Sequence, residues 1–225
     1  MAIVVVATQS TAFGSSGGTT ANNNTIGSDL IIVEMSYARP STPTLSDNMG
    51  NSYTQSTKYE DTASNGSVMV WYTTGAISTT SSHTFTTNCR LGITSIIAVS
   101  GARTATTAFD KIAGTYSGSM PVVPTPFYPG SITPSVDNCL VVTQVYQNAA
   151  VGAPTVPSGY TLIGKFAVGT SFPGGAAYKI QSTAAAENPG WGVDTSANVT
   201  IMVANFMPPI VGAVASNYNF FVFFN

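Results

Sequence analysis

A chain of 225 residues is long enough for one large β domain, and a core of that size needs neither a metal nor a disulfide staple. Charged residues make up only 7% of it, against about 25% in an average globular chain; with a net charge of −2 and scattered Lys and Arg, there is no basic face for nucleic acid. The 44% apolar fraction excludes a disordered chain, and no window approaches the 18 apolar residues of a membrane-spanning helix.

In chain order, Met1-Ala2-Ile3-Val4-Val5-Val6-Ala7 lacks the positive leading region and long apolar core of a secretion signal, so it reads as a first strand. Residues 9–29 are rich in Ser, Thr, Gly and Asn and read as a loop holding at most a short strand. Leu30–Tyr37 is an apolar strand that stops at Pro40 and Pro43, which remove ladder donors. In Leu45-Ser46-Asp47-Asn48-Met49-Gly50-Asn51-Ser52-Tyr53, Gly50 takes a positive φ cheaply and Asp47 and Asn48 can bond their own backbone, so the stretch reads as a turn. An outer strand over Tyr53–Tyr59, a turn at 60–66, a central strand at Ser67–Thr73, and further strands at Thr84–Thr87 and Ile93–Val99 complete a first half.

Residues 101–137 are Pro-rich and read as an irregular crossing, with no helical period. The pattern then starts again. Cys139–Tyr146 echoes Leu30–Tyr37, Pro157–Thr161 takes the place of Gly50–Thr54, Ala176–Ile180 answers Val68–Tyr72, and Val199–Phe206 answers the strand ending at Gly101. The second copy lacks the Asp-Asn-x-Gly-Asn turn. Two copies of roughly 75–100 residues are too few and too long for a solenoid. They predict an all-β fold, an antiparallel, jelly-roll-like β-sandwich spanning 1–208, with degenerate halves at about 28–102 and 137–208. Residues 209–225 follow as an apolar C-terminal strand or intersubunit arm, with Phe220, Phe221, Phe223 and Phe224 as the contact residues, because four wet Phe side chains are costly.

Catalytic chemistry finds little support. His83 is the one histidine, in Ser81-Ser82-His83-Thr84, and reads as a surface residue in a turn rather than a catalytic base. One His and two distant Cys do not make a zinc site, and Cys89 and Cys139 read as free buried thiols with a single bridge as the alternative. No glycine-rich phosphate loop is present. Asp47, Asn48 and Asn51, with Glu60 or Asp61, could gather oxygens for Ca²⁺, but the turn already accounts for them. Carboxylates such as Asp47, Glu60, Asp61, Asp110 and Glu187 would make a glycosidase only if two faced each other across a cleft. Among the aromatics, Trp71, Tyr37, Tyr72 and Tyr178 lie in apolar runs and read as core, whereas Trp191, flanked by Pro189, Gly190 and Gly192, is the one candidate for an exposed glycan platform.

The ordered set Asp29-Leu30-Ile31-Ile32-Val33, Leu45-Ser46-Asp47-Asn48-Met49-Gly50-Asn51-Ser52-Tyr53, Val70-Trp71-Tyr72 and Ile96-Ile97-Ala98-Val99-Ser100-Gly101 resembles β-sandwich structural modules of bacteriophage virions, which also occur in bacterial surface proteins. The resemblance runs from about Gly27 to Phe206. It implies a non-enzymatic virion structural protein: a capsid decoration or cement protein, or a tail-associated one, made in the host cytoplasm without a signal peptide. The implied partners are other virion proteins and copies of itself, with no cofactor, nucleic acid or membrane. The alternative is a carbohydrate-binding or adhesive module that meets host surface glycans. The resemblance supplies no catalytic residues.

Overall fold

The computed structural model describes residues 2–38, 42–62, 66–73, 76–102, 108–118, 123–148, 152–166 and 173–209. The tail carrying Phe220, Phe221, Phe223 and Phe224 lies outside them. The described residues form strands and loops only: β1 (Val4–Phe13), β2 (Gly18–Thr19), β3 (Leu30–Tyr37), β4 (Leu45–Asp47), β5 (Tyr53–Gln55), β6 (Tyr59–Asp61), β7 (Gly66–Thr73), β8 (Phe85–Thr87), β9 (Gly92–Ser100), β10 (Phe109–Tyr116), β11 (Cys139–Asn148), β12 (Thr161–Phe166), β13 (Gly174–Gln181) and β14 (Asn198–Phe206).

Two main sheets pack face to face. The first has the order β1-β9-β3-β7-β5 with β6 also on β7; the second has the order β10-β14-β11-β13-β12. Every pairing is antiparallel. The two orders are the same path walked twice. The chain crosses between the main sheets once, between β9 and β10, so the sheets are contiguous in sequence rather than interleaved as in a jelly roll. Between them lies a core that includes Leu30, Ile32, Val70, Ile97, Val99, Leu140, Val142, Met202 and Phe206. Strands β3 and β11 bury both faces because each sheet is also covered on its outer side, which explains their nearly unbroken apolar sequences.

The outer covers differ. On the first sheet the cover is a three-stranded sheet, β2-β8-β4, packed through Phe85, Met35, Tyr37 and Cys89. On the second it is two loops, 123–137 and 183–197, joined by isolated bridges at Phe127–Trp191 and Ile132–Glu187, with Thr155 of a third segment bridged to Gly192, and packed through Trp191, Phe127 and Val199. These bridges follow the chain order of the small sheet, whose own extension is an Asn23–His83 bridge.

Four expectations need correction. Strand β1 runs on to Phe13, through residues read as loop. Residues 101–137 are not wholly irregular, since β10 lies there as an edge strand of the second sheet; its Asp, Lys, Ala and Gly residues hide it from a propensity reading. The outer strand after the turn is two short strands, β5 and β6, rather than one. The repeat is also shifted by one residue. Ile32 faces Tyr72 and Val142 faces Tyr178, so Leu30 corresponds to Leu140 and not to Cys139. A slip of one would turn every side chain of the strand to the opposite face.

Candidate functional site

The turn singled out in the sequence is built around Asp47, at the end of β4. Its Oδ1 accepts the backbone N–H groups of Met49 and Asn51, both at 3.0 Å. Its Oδ2 accepts Asn51 Nδ2 at 2.7 Å, the Tyr53 hydroxyl at 2.6 Å and His83 Nε2 at 2.9 Å. Gly50 turns the loop with φ +71°. Asn51 also ties the turn outward, accepting Ser78 N at 2.7 Å and donating to Ser78 O at 3.0 Å. Burial pushes the Asp47 carboxyl up, but the hydrogen bonds from Tyr53, Asn51 and His83 outweigh it and hold the carboxyl below its usual range. The Tyr53 hydroxyl is pushed far up by burial and by that carboxylate.

His83 continues the line: its Nδ1 lies 2.8 Å from Thr25 Oγ1. Thr80 N donates to Thr25 Oγ1 and Thr80 O lies within reach of the same hydroxyl, both at 3.3 Å, so Thr25 is tied to Thr80 as well as to the imidazole. Carboxylate, imidazole and hydroxyl therefore stand in the order of a hydrolase triad. They are sealed, however. Thr25 and His83 are 0% exposed, the Asp47 side chain is equally enclosed, and the imidazole stacks on Phe85 at 4.5 Å. A nucleophile needs a space beside it for the reacting carbon, and Thr25 Oγ1 has protein instead. His83 is thus a core residue and not the surface histidine its polar neighbours suggest.

The second half carries a counterpart that the sequence did not reveal. Tyr160 precedes Thr161 as Tyr53 precedes Thr54, those threonines facing the matched Tyr178 and Tyr72, and its hydroxyl also donates to a carboxylate, Glu187 Oε2, at 2.9 Å. Glu187 comes from the outer loop, at the bridge corresponding to that of His83, and its Oε1 receives Lys179 Nζ at 2.5 Å. The carboxylate has changed sides of the contact: in the first half it sits in the turn, in the second on the segment that crosses it.

Other candidates fall apart on inspection. Trp191 is 0% exposed; its ring is pressed into the outer core and its Nε1 donates to Thr143 Oγ1 at 3.1 Å, so it offers no platform. Beside it opens a shallow cavity of about 330 Å³ lined by Thr125, Gly152, Ala153, Thr155, Gly192, Val193 and Asp194, none of them aromatic. Glu60 pairs with Lys58 at 2.6 Å, and both Asp47 oxygens already have donors, so the five oxygen residues do not form a Ca²⁺ cage. Among the described residues no group of three His, Cys, Asp or Glu is placed to hold a metal. Cys89 and Cys139 are buried and not bridged to each other, with the Cys89 thiol pushed up to about 11 by burial.

One buried acid was missed altogether. Glu34, in the middle of β3, is 0% exposed and neither carboxylate oxygen has a hydrogen-bond partner. Desolvation raises its pKa well above the ordinary value. Its counterpart in the second sheet is Gln144, whose Nε2 reaches across the sandwich to Met69 O. Comparison with known proteins adds no relative: no family model, no curated protein and no solved structure matches this chain.

Proposed function

We propose that this chain is a non-enzymatic structural protein of a virion, a capsid decoration or cement protein acting through contacts between subunits and with other virion proteins. The observation that carries the reading is the sealed Asp47–His83–Thr25 line. The one arrangement with the order of a catalytic triad is a strut that pins the turn and the small sheet onto the first main sheet. Around it the surface is strand faces and hydroxyl-rich loops with few charges, which suits packing into an assembly more than steering a charged ligand. The alternative, a carbohydrate-binding module, would have to work with Tyr116 and Tyr128, 50% and 47% exposed.

The test is a density gradient of particles from a culture that makes the chain. Comigration with the particles in fixed ratio to the main shell protein supports the reading. A chain found only in the soluble fraction, retained on a glycan column, overturns it.

A further inference from the structure

The two main sheets have corresponding edges, β1 and β10, and only one of them carries charge. Both carry a register shift at the same level: between Val5 and Ala7 in β1, and between Phe109 and Lys111 in β10. Val5 faces Val99, and Phe109 faces Phe206, the residues opposite Leu30 and Leu140. At the extra residue β10 has Asp110, which accepts Ser135 N and Ser135 Oγ at 2.7 Å each and Asn205 Nδ2 at 2.9 Å; Lys111 comes next. At that place β1 has Val6, 39% exposed, followed by Ala7. The remaining edges also carry the usual protection against strand addition. Strand β12 has Lys165 and a register shift, while β5 and β6 are three residues each with the Lys58–Glu60 pair beside them. Strand β1 is ten residues of Val, Ala, Thr, Gln, Ser and Phe with no charge and no proline, and among the described residues it pairs with β9 alone.

We propose that the free edge of β1 accepts residues 210–225 of a second copy of this chain as an added strand, an inference that rests on the assembly reading above. Three things select this occupant. Residues 210–225 contain no Lys, Arg, Asp or Glu and are rich in Val and Phe, which matches an uncharged edge beginning with Val4 and Val6. Fully extended they span about 50 Å, more than the roughly 33 Å of a ten-residue strand. They leave Pro209 just beyond Phe206, whose side chain shares a cluster with Ile3, Leu30 and Val99, so they depart from the end of the sandwich at which β1 starts. From that end the chain's own segment would run parallel to β1. The segment of a copy related by a two-fold axis normal to the sheet runs antiparallel, as every other pairing here does.

The experiment compares the full chain with the variant Val6→Asp/Ala7→Lys, which places the Asp110-Lys111 pair of β10 on β1, and with Thr8→Lys, whose site on the same strand is also exposed. Circular dichroism checks folding, sedimentation velocity gives the mass, and hydrogen exchange is read on the peptide 4–13. The full chain should be an oligomer in which this peptide exchanges at least tenfold more slowly than in the chain ending at Pro209. Both variants should be folded monomers with the fast exchange. An oligomer that survives both variants but is lost on truncation overturns this acceptor while leaving assembly standing. A monomeric full chain with tail-dependent protection of β1 overturns the second copy as donor. A monomeric full chain with fast-exchanging β1 overturns this inference, while comigration with particles decides the assembly reading separately.

Discussion

The two halves of the molecule share one strand path but are held to their outer covers by different chemistry. In the first, an ordered three-stranded sheet is pinned by a fully enclosed carboxylate with five donors, one of them an imidazole. In the second, two loops lie over the sheet, pinned by Trp191 and by a Glu187 side chain that is still 13% exposed. The same geometric task, fixing a cover onto a strand face, is met once by a polar hub and once mainly by an aromatic plug. A plug gains from the area it removes from water. A hub gains less net energy but fixes one arrangement of the backbone around it, since every donor left without its acceptor costs the full desolvation penalty.

The largest effect should come from removing the plug. Trp191→Ala should lower unfolding stability by about 3–5 kcal/mol, as cavity-forming aromatic truncations do. Urea unfolding followed by tyrosine fluorescence would measure it. A loss below about 1 kcal/mol would return Trp191 to the surface role its flanking Pro189, Gly190 and Gly192 suggest.

Next come the hubs. Asp47→Ala leaves His83 Nε2, the Tyr53 hydroxyl and the Asn51 backbone N–H without their acceptor and should cost about 3 kcal/mol. Glu187→Ala strands only Tyr160 and a partly exposed Lys179, so about 1–2 kcal/mol is expected. The acid limb sharpens the contrast. The folded Asp47 carboxyl lies below its unfolded value, so its contribution is complete above the ordinary carboxylate range and is lost as the pH falls through the folded pKa. Acid unfolding of Asp47→Ala should therefore begin from a lower stability and be shallower than that of the parent. Equal costs at the two hubs would mean that they are the same device.

These contrasts also mark what was legible in the amino acids. Runs such as Leu30–Tyr37 and Val199–Phe206 announce themselves because both faces of each strand are buried and β-branched residues fill them. The Asp47–Tyr53 turn is readable because its hydrogen bonds are local. His83 is not readable, because its burial comes from the three-residue strand β4 and from the loop at Asn23 and Thr25, segments with almost no pattern of their own. Trp191 misleads for a related reason: turn residues flank it, but the fold lays that turn against a sheet. Strand β10 hides because an edge tolerates Asp110, Lys111 and Gly114 where a central strand would not. The one-residue error in the repeat arises because Leu30 and Cys139 look alike as strand openings, and only pairing across the sheet decides which faces inward.

A smaller effect of opposite sign is expected at the matched pair Glu34 and Gln144. Gln144 donates across the core, whereas Glu34 has no partner, with Val70 and Ser95 opposite it in its own sheet. Glu34→Leu should raise stability by about 1–3 kcal/mol, since an unpaired buried polar group gives way to an apolar one. Because the folded pKa is raised, the native state holds a proton that the unfolded state releases above pH 4.5, the ordinary value. Stability is fully present below that pH and is lost as the pH rises toward the folded pKa. The advantage of the Leu variant should accordingly grow between pH 5 and pH 8, measured as the difference in urea midpoints. An advantage independent of pH would show that the carboxyl is charged and paired at neutral pH.

The smallest expected effect is the one on which the two halves should agree. Gly50 and Gly159 lie in corresponding turns, three residues before Tyr53 and one residue before Tyr160, with φ of +71° and +77°, and a Cβ at either would meet nothing within 4 Å. Substitution by Ala therefore tests the left-handed backbone alone, free of packing, and should cost about 1 kcal/mol at each site. Urea midpoints of the two single variants would show it. If Gly50→Ala costs several times more than Gly159→Ala, the added loss belongs to the hub, because Gly50 places Asn51 and Tyr53 on Asp47, and the tolerance of that network to a tilted turn would be the quantity measured. If the costs match, the turn is a shared feature of both halves and the polar hub is an addition that its backbone does not require.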